Sequence, residues 1–190
     1  MSTATQTIEE AFEIFSRVHF LPSSQRDFAK LDLPLPIGHG QTISRPTTVK
    51  QMLEWLSIQP DDKILDVGSG SGWTTALMSH ITGPFGLVYA VERVKDLYIN
   101  GMQNCHELGI SNVRFLRASH NYGLLRFAPY DRILVNAEAS EIPMDLINQL
   151  ELLGKMVIPV NGTVLEITRM SDSEYETAVH PGYTFVPLLS

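Results

Sequence analysis

Three glycines at alternate positions, Gly68, Gly70 and Gly72, follow the apolar run Ile64-Leu65-Asp66-Val67, and an acid, Glu92, ends a second apolar run 20 residues beyond the last of them. Glycine adopts positive φ without strain and lets a ligand approach where a Cβ would collide, while a carboxylate at that spacing accepts hydrogen bonds from a ribose diol. The pairing predicts a nucleoside cofactor at the end of a buried strand; a glycine turn with no ligand leaves the position of Glu92 unexplained. Dinucleotide sites favour G-x-G-x-x-G with a pyrophosphate on the helix N-terminus, whereas this turn reads G-x-G-x-G behind Asp66. An acid there repels a pyrophosphate but can hold an ammonium group, such as the amino-acid end of S-adenosylmethionine (AdoMet). No Gly-Lys-Ser/Thr follows the turn, which excludes a Walker loop.

The elements that must position this turn read as alternating strands and helices. A leading helix is predicted over 8–18, with Ile8, Ala11, Phe12 and Phe15 on one face. The alternating prolines of Leu33-Pro34-Leu35-Pro36 forbid helix and predict an ordered extended segment through Gly40. A helix follows over 47–56. The glycine turn then lies between a strand ending at Val67 and a helix over 73–81, and a second strand runs over 87–92. Next come a helix over 95–108, a strand over 113–117, a strand over 132–136, a helix begun by Pro143, and a strand over 156–160. Three strand-like runs joined by short polar turns, 164–169, 175–180 and 185–189, close the chain. The predicted fold is α/β: a Rossmann-like, doubly wound, mostly parallel sheet with an antiparallel C-terminal finish and a ligand beyond the carboxyl ends of the strands.

Composition bounds the function. A chain of 190 residues with 44% apolar content can bury one substantial core, so a single domain over 1–190 is expected. Within it, 1–60 supplies N-terminal helices and a substrate-side loop, 61–160 the cofactor-binding core, and 161–190 the antiparallel strands. The apolar runs fall short of the ~20 residues that span a bilayer, and the N-terminus lacks the basic and apolar regions of a signal peptide. The expectation is a cytoplasmic monomer that engages no membrane. A formal charge of −7 argues against a nucleic-acid partner. The single cysteine, Cys105, cannot form an internal disulfide, and no Cys/His cluster has zinc spacing, so no metal is expected.

The segment Leu35-Pro36-Ile37-Gly38-His39-Gly40-Gln41-Thr42-Ile43-Ser44-Arg45-Pro46 resembles the P-I-G-x-G-Q-T-I-S-x-P signature of the protein-L-isoaspartate (D-aspartate) O-methyltransferases in their short bacterial form. Further matches in order are 65–72, Val91-Glu92-Arg93, Ala128-Pro129-Tyr130-Asp131, Glu141-Ile142-Pro143, Ile158-Pro159-Val160 and Phe185-Val186-Pro187-Leu188, so the resemblance spans about 20–188. It implies a class I AdoMet methyltransferase that esterifies the α-carboxylate of isoaspartyl residues in damaged proteins or peptides. The ester collapses to a succinimide, whose hydrolysis returns some normal aspartate. Such chemistry needs no general base: a carboxylate with a pKa of about 3.5 is already ionised at neutral pH, and orientation supplies much of the catalysis. A missing Ser-His-Asp or Cys-His set therefore does not argue against an enzyme.

By position in the signature, the resemblance makes Ser44 the active-site hydroxyl that bonds the acceptor carboxylate, beside Thr42 at the cofactor and Ile43 in the cleft. Ser44 could instead cap the helix that follows Pro46. Asp66, Gly68, Ser69, Gly70, Ser71 and Gly72 would hold the methionine part of the cofactor, Glu92 and Arg93 the ribose, and Val186 would wall the peptide groove. Three departures stand against the family pattern. Ser119 and His120 occupy the place of a Gly-Asp-Gly whose acid binds the adenine amino group, removing a charge-assisted bond. Glu138 falls where the family has small residues and prolines, and would repel an incoming carboxylate if it turned inward. The N-terminal region is short, and Asn161-Gly162 replaces a longer loop. Two alternatives remain open on these residues: a different carboxylate or small-molecule acceptor, and a catalytically silent AdoMet-binding homologue.

Overall fold

A computed structural model describes residues 4–119 and 122–189. The first helix, α1 (Ala4–Ile14), buries Ile8 and Ala11 as its apolar spacing requires. It ends four residues earlier than predicted, because Trp73 Nε1 donates to Phe15 O (2.9 Å) and Ser16 turns extended into a 3-10 turn, Arg17–Phe20. Strands β1 (Leu35–Gly38) and β2 (Gln41–Ile43) pair antiparallel, so the predicted extended segment is a small hairpin. Helix α2 (Pro46–Leu56) follows, with Pro46 at the first helical position.

The remaining strands form one sheet. In chain order they are β3 (Lys63–Val67), β4 (Leu87–Glu92), β5 (Val113–Arg117), β6 (Tyr130–Val135), β7 (Leu150–Val160), β8 (Thr163–Arg169) and β9 (Tyr175–Pro181), and they lie in the order β5-β4-β3-β6-β7-β8-β9. The first five are parallel to their neighbours; β8 and β9 run antiparallel. The expected doubly wound sheet with an antiparallel finish is present. The winding reverses beside β3, which pairs with β4 on one edge and β6 on the other, so the carboxyl ends of these three strands form the crevice in which such sheets bind ligands.

Alternate residues of the central strands feed two cores. Ile64, Val88, Leu134 and Val157 face α1, α2 and the helices α3 (Trp73–Thr82) and α4 (Lys95–Glu107). Leu65, Val67, Ile133, Val135, Met156 and Ile158 face the other way. That second face is covered by helix α5 (Met144–Ile147), the 3-10 turn Leu125–Phe127 and their flanks. The helix predicted from Pro143 thus lasts one turn: the chain enters β7 six residues earlier than expected, with a kink at Leu153, where φ is +62°. The predicted strand over 185–189 is also corrected. Pro187 has no N–H to give a ladder, and the segment makes only a bridge to Glu138, whose N–H donates to Val186 O (2.8 Å) and whose carbonyl accepts from Leu188 N (2.8 Å).

Candidate active site

At the end of β3 the chain turns back under β4: Gly68 N and Ser69 N both donate to Val91 O, at 2.9 and 3.2 Å. Gly70 N donates to Glu92 Oε2 (2.9 Å), and Val94 N to Glu92 Oε1 (2.8 Å), which fixes the carboxylate at the rim of the turn. The three glycines have φ of +75°, +55° and +90°, a region other residues enter at a cost. Gly68, Ser69, Gly70 and Ser71 line a hollow of about 920 Å³ including its open mouth, and Glu92, Arg93 and Ser119 line it too. Gly72 does not. It starts α3, and a Cβ on it would meet Gly101 O of α4 at 2.9 Å. The last glycine of the motif therefore seats α3 on α4 and stands just off the hollow's lining.

Asp66, expected beside the methionine part, lies one layer back. Its side chain is fully buried behind the turn and does not line the hollow. Its carboxylate accepts from Thr75 Oγ1 (2.5 Å), Thr74 Oγ1 (3.2 Å) and Asn136 Nδ2 (2.6 Å). Burial pushes the carboxyl up to about 7, with the nearby Glu92 adding to the rise, while the three donors hold it down. Asp66 reaches the hollow only through Thr74 and Asn136, which do line it. His120 lies outside the described residues. Ser119 stands on the hollow with its carbonyl accepting from Arg93 Nη1 (3.5 Å).

The hairpin delivers the other wall. Thr42, Ile43 and Ser44 line the hollow, and Thr42 and Ser44 also line a second one, of about 950 Å³ including its mouth. Asn136 and Val186 are likewise shared, so these four residues form the seam between the two spaces. Among the described residues Ser44 caps no helix: the residue before α2 is Arg45, and the open N–H of Thr47 donates to Asp32 Oδ1 (3.0 Å), 15 residues upstream. Glu138 is half-buried and lines neither hollow, while its backbone anchors the Val186 segment.

Sequence reasoning missed Asn136 and Arg17. Asn136 is the first residue beyond β6 at the winding reversal, a position that by itself marks a ligand contact. Arg17 is 4% exposed; its guanidinium donates to Leu31 O (3.1 Å), Leu33 O (2.6 Å) and Ile43 O (3.1 Å) and sits over the Trp73 ring. It ties the hairpin to α3, and burial pushes it down to about 10 against the pull of Asp32. Nothing in the local sequence signals that role. The residues fit AdoMet: Ser69 Oγ and Ser71 Oγ are buried beside the hollow without a partner among the described residues, a polar surface that a bound amino acid would satisfy.

Residues 2–190 match the family described as Protein-L-isoaspartate(D-aspartate) O-methyltransferase (PCMT). A protein-L-isoaspartate O-methyltransferase from Fervidobacterium nodosum is 37% identical over 187 residues, 97% of this chain and 94% of that one. Among solved structures, a protein-L-isoaspartate O-methyltransferase superposes with a TM-score of 0.89 at 27% identity, covering 97% of this chain and 61% of its own. A Plasmodium falciparum protein, described as a protein-L-isoaspartate O-methyltransferase and solved with S-adenosyl-L-homocysteine, gives 0.82 at 26% identity over 96% of this chain and 90% of that one.

Proposed function

This chain belongs to the protein-L-isoaspartate (D-aspartate) O-methyltransferase family, and on that premise we propose how its two hollows divide the reaction: the glycine-turn hollow takes AdoMet, and the hollow beyond Ser44 takes the acceptor. The enzyme transfers a methyl group from AdoMet to the carboxylate of isoaspartyl residues in proteins or peptides. The observation that carries the division is the seam: Thr42, Ser44, Asn136 and Val186 border both spaces, so groups held on either side meet there.

When bound, AdoMet supplies an electrophilic methyl on a sulfonium whose departure leaves a neutral thioether. Gly68, Ser69, Gly70 and Ser71 would hold its amino-acid end through backbone and hydroxyl groups. Glu92, already pinned by two backbone N–H groups, keeps lone pairs free for a ribose diol, with Arg93 and Ser119 bounding the rest of the nucleoside. Ser44 would donate its hydroxyl to the acceptor carboxylate, Ile43 would close the cleft, and Val186 would wall the groove. Asp66 would act on the site from behind the turn by orienting Thr74 and Asn136, and Gly72 by seating α3 on α4. Because an ionised carboxylate is its own nucleophile, these residues need only bind, align and exclude water.

The half-buried Glu138, standing off both hollows, supports a carboxylate acceptor over the alternative in which its charge redirects the site. The reading includes one methyltransferase domain whose acceptor hollow joins residues from 1–60 and 161–190, acting as a cytoplasmic monomer without nucleic acid or membrane; the net charge of −7 supports the absence of a polyanion partner. The test is transfer of a radiolabelled methyl group from AdoMet to an isoaspartyl peptide beside its aspartyl twin. Label in the first and not the second is expected. Equal labelling, or none, overturns the acceptor assignment.

A further inference from the structure

Asn136 sits on the seam with its side chain oriented by what lies behind it. Its backbone N–H donates to Val67 O (2.9 Å), which fixes the residue beside the end of β3. Its amide Nδ2 donates to Asp66 Oδ1 (2.6 Å) and to Thr74 Oγ1 (3.3 Å). With Asp66 ionised, Thr74 gives its own hydrogen to Asp66 Oδ2 and accepts from Asn136, so the amide nitrogen faces both Asp66 and Thr74. That leaves Asn136 Oδ1, an acceptor with no donor hydrogen, unpartnered among the described residues, on a residue that borders both hollows alongside Ser44.

A carbonyl oxygen beside the landing place of a carboxylate is unfavourable unless the same substrate brings a donor. An isoaspartyl residue brings one. The carbon carrying its free carboxylate also carries the residue's own amide N–H. In a normal aspartyl residue the free carboxylate hangs from a CH₂, and the N–H lies one carbon further away. A hydroxyl for the carboxylate and a carbonyl for the adjacent N–H together recognise the first arrangement and reject the second. We propose that Asn136 is a specificity-determining residue, accepting through Oδ1 the amide N–H of the isoaspartyl residue while Ser44 binds its carboxylate; this rests on the acceptor assignment above.

The test uses two peptides, an isoaspartyl peptide and a depsipeptide analogue in which that one N–H is replaced by an ester oxygen, with wild-type enzyme and the variants Asn136→Ala and Asn136→Ser. In wild type the replacement lowers kcat/KM at least tenfold. In the variants kcat/KM for the ordinary peptide falls at least tenfold and the replacement changes it no further than twofold. Wild-type enzyme that uses both peptides equally overturns the proposal without any variant, and so does a folded variant that still discriminates tenfold. Failure of wild type to label the ordinary isoaspartyl peptide at all is a different result: it removes the acceptor assignment, and this proposal with it.

Discussion

Ser44 separates two roles that one serine before a helix would ordinarily confound. Asp32 takes the capping task, accepting from the N–H and the hydroxyl of Thr47 (3.0 and 2.9 Å), and those bonds hold its carboxyl below the usual range. Ser44→Ala should therefore reduce turnover at least tenfold and leave both the melting temperature and AdoMet affinity unaltered, whereas Asp32→Ala should destabilise by about 1 kcal/mol and spare the chemistry. Melting curves beside single-turnover rates decide it; a Ser44→Ala enzyme at full rate removes the hydroxyl from the reaction. Ser119 admits a second test. The residue lines the cofactor hollow uncharged, so Ser119→Asp should tighten AdoMet binding about tenfold by restoring a charge-assisted bond to the adenine amino group. Unchanged calorimetric affinity would show that the adenine is held by other groups. The glycines were legible because a positive φ restricts which residue can stand there, Glu92 through its spacing from them, and the place of Ser44 only through the signature shared with the family. Arg17 was not, since an arginine after a helix has a common solvated reading and only distant partners turn it inward; Asn136 carried a signal in its place just beyond β6, but not the bonds to Asp66 and Thr74 that orient it.

At the scale of elements, α4 crosses the glycine turn closely enough that both surfaces must be bare. Gly101 lies within α4, and a Cβ on it would meet Gly70 O at 2.9 Å and Phe115 at 3.0 Å, while Gly72 meets Gly101 from the other side. Helix propensity alone would have Gly101→Ala stabilise by up to about 1 kcal/mol. Packing reverses the sign. The variant should melt lower and bind AdoMet at least tenfold more weakly, because the methyl group must displace the carbonyl that shapes the turn. Retained affinity in isothermal titration would mean that α4 can slide without disturbing the hollow. The βαβ rhythm that builds this crossing was readable from period and punctuation, and β3, β4 and β5 fell where expected. The one-turn α5 and the 185–189 segment, bridged to Glu138 instead of forming a strand, were misjudged for the same reason: each is decided by which neighbour it pairs with, through Gln149 and Glu138, and pairing across that distance leaves no local trace.

Across the whole molecule, the two ends of the chain close over the seam that the middle creates: Tyr183 OH donates to Gln51 Oε1 (2.8 Å) and the Trp55 ring stacks on His180 at 3.8 Å, so α2 and the end of β9 build the acceptor side together. Beneath that seam lies one buried acid, Asp66, joined to it through Thr74 and Asn136. In the folded chain burial pushes Asp66 up to about 7 from the 3.8 of a free carboxyl, disfavouring its charge more than Thr75, Thr74 and Asn136 favour it. A carboxyl raised on folding makes the folded state bind the proton more tightly, so between about pH 4 and 7 the unfolded chain is ionised while the native one is not, and stability falls as pH rises through that window. The loss is on the order of a few kcal/mol and is complete above the folded pKa. Asp66→Asn removes this contribution, so the stability difference between the variant and wild type should grow in the variant's favour from pH 5 to pH 8, as read by denaturant melts at each pH. A cation bound in the adjoining hollow favours the ionised acid, and linkage then requires AdoMet affinity to rise with pH through 7 in wild type and to lose that rise in the variant. A stability difference that stays constant across the range would mean that Asp66 is already ionised when folded, with its three donors outweighing its burial.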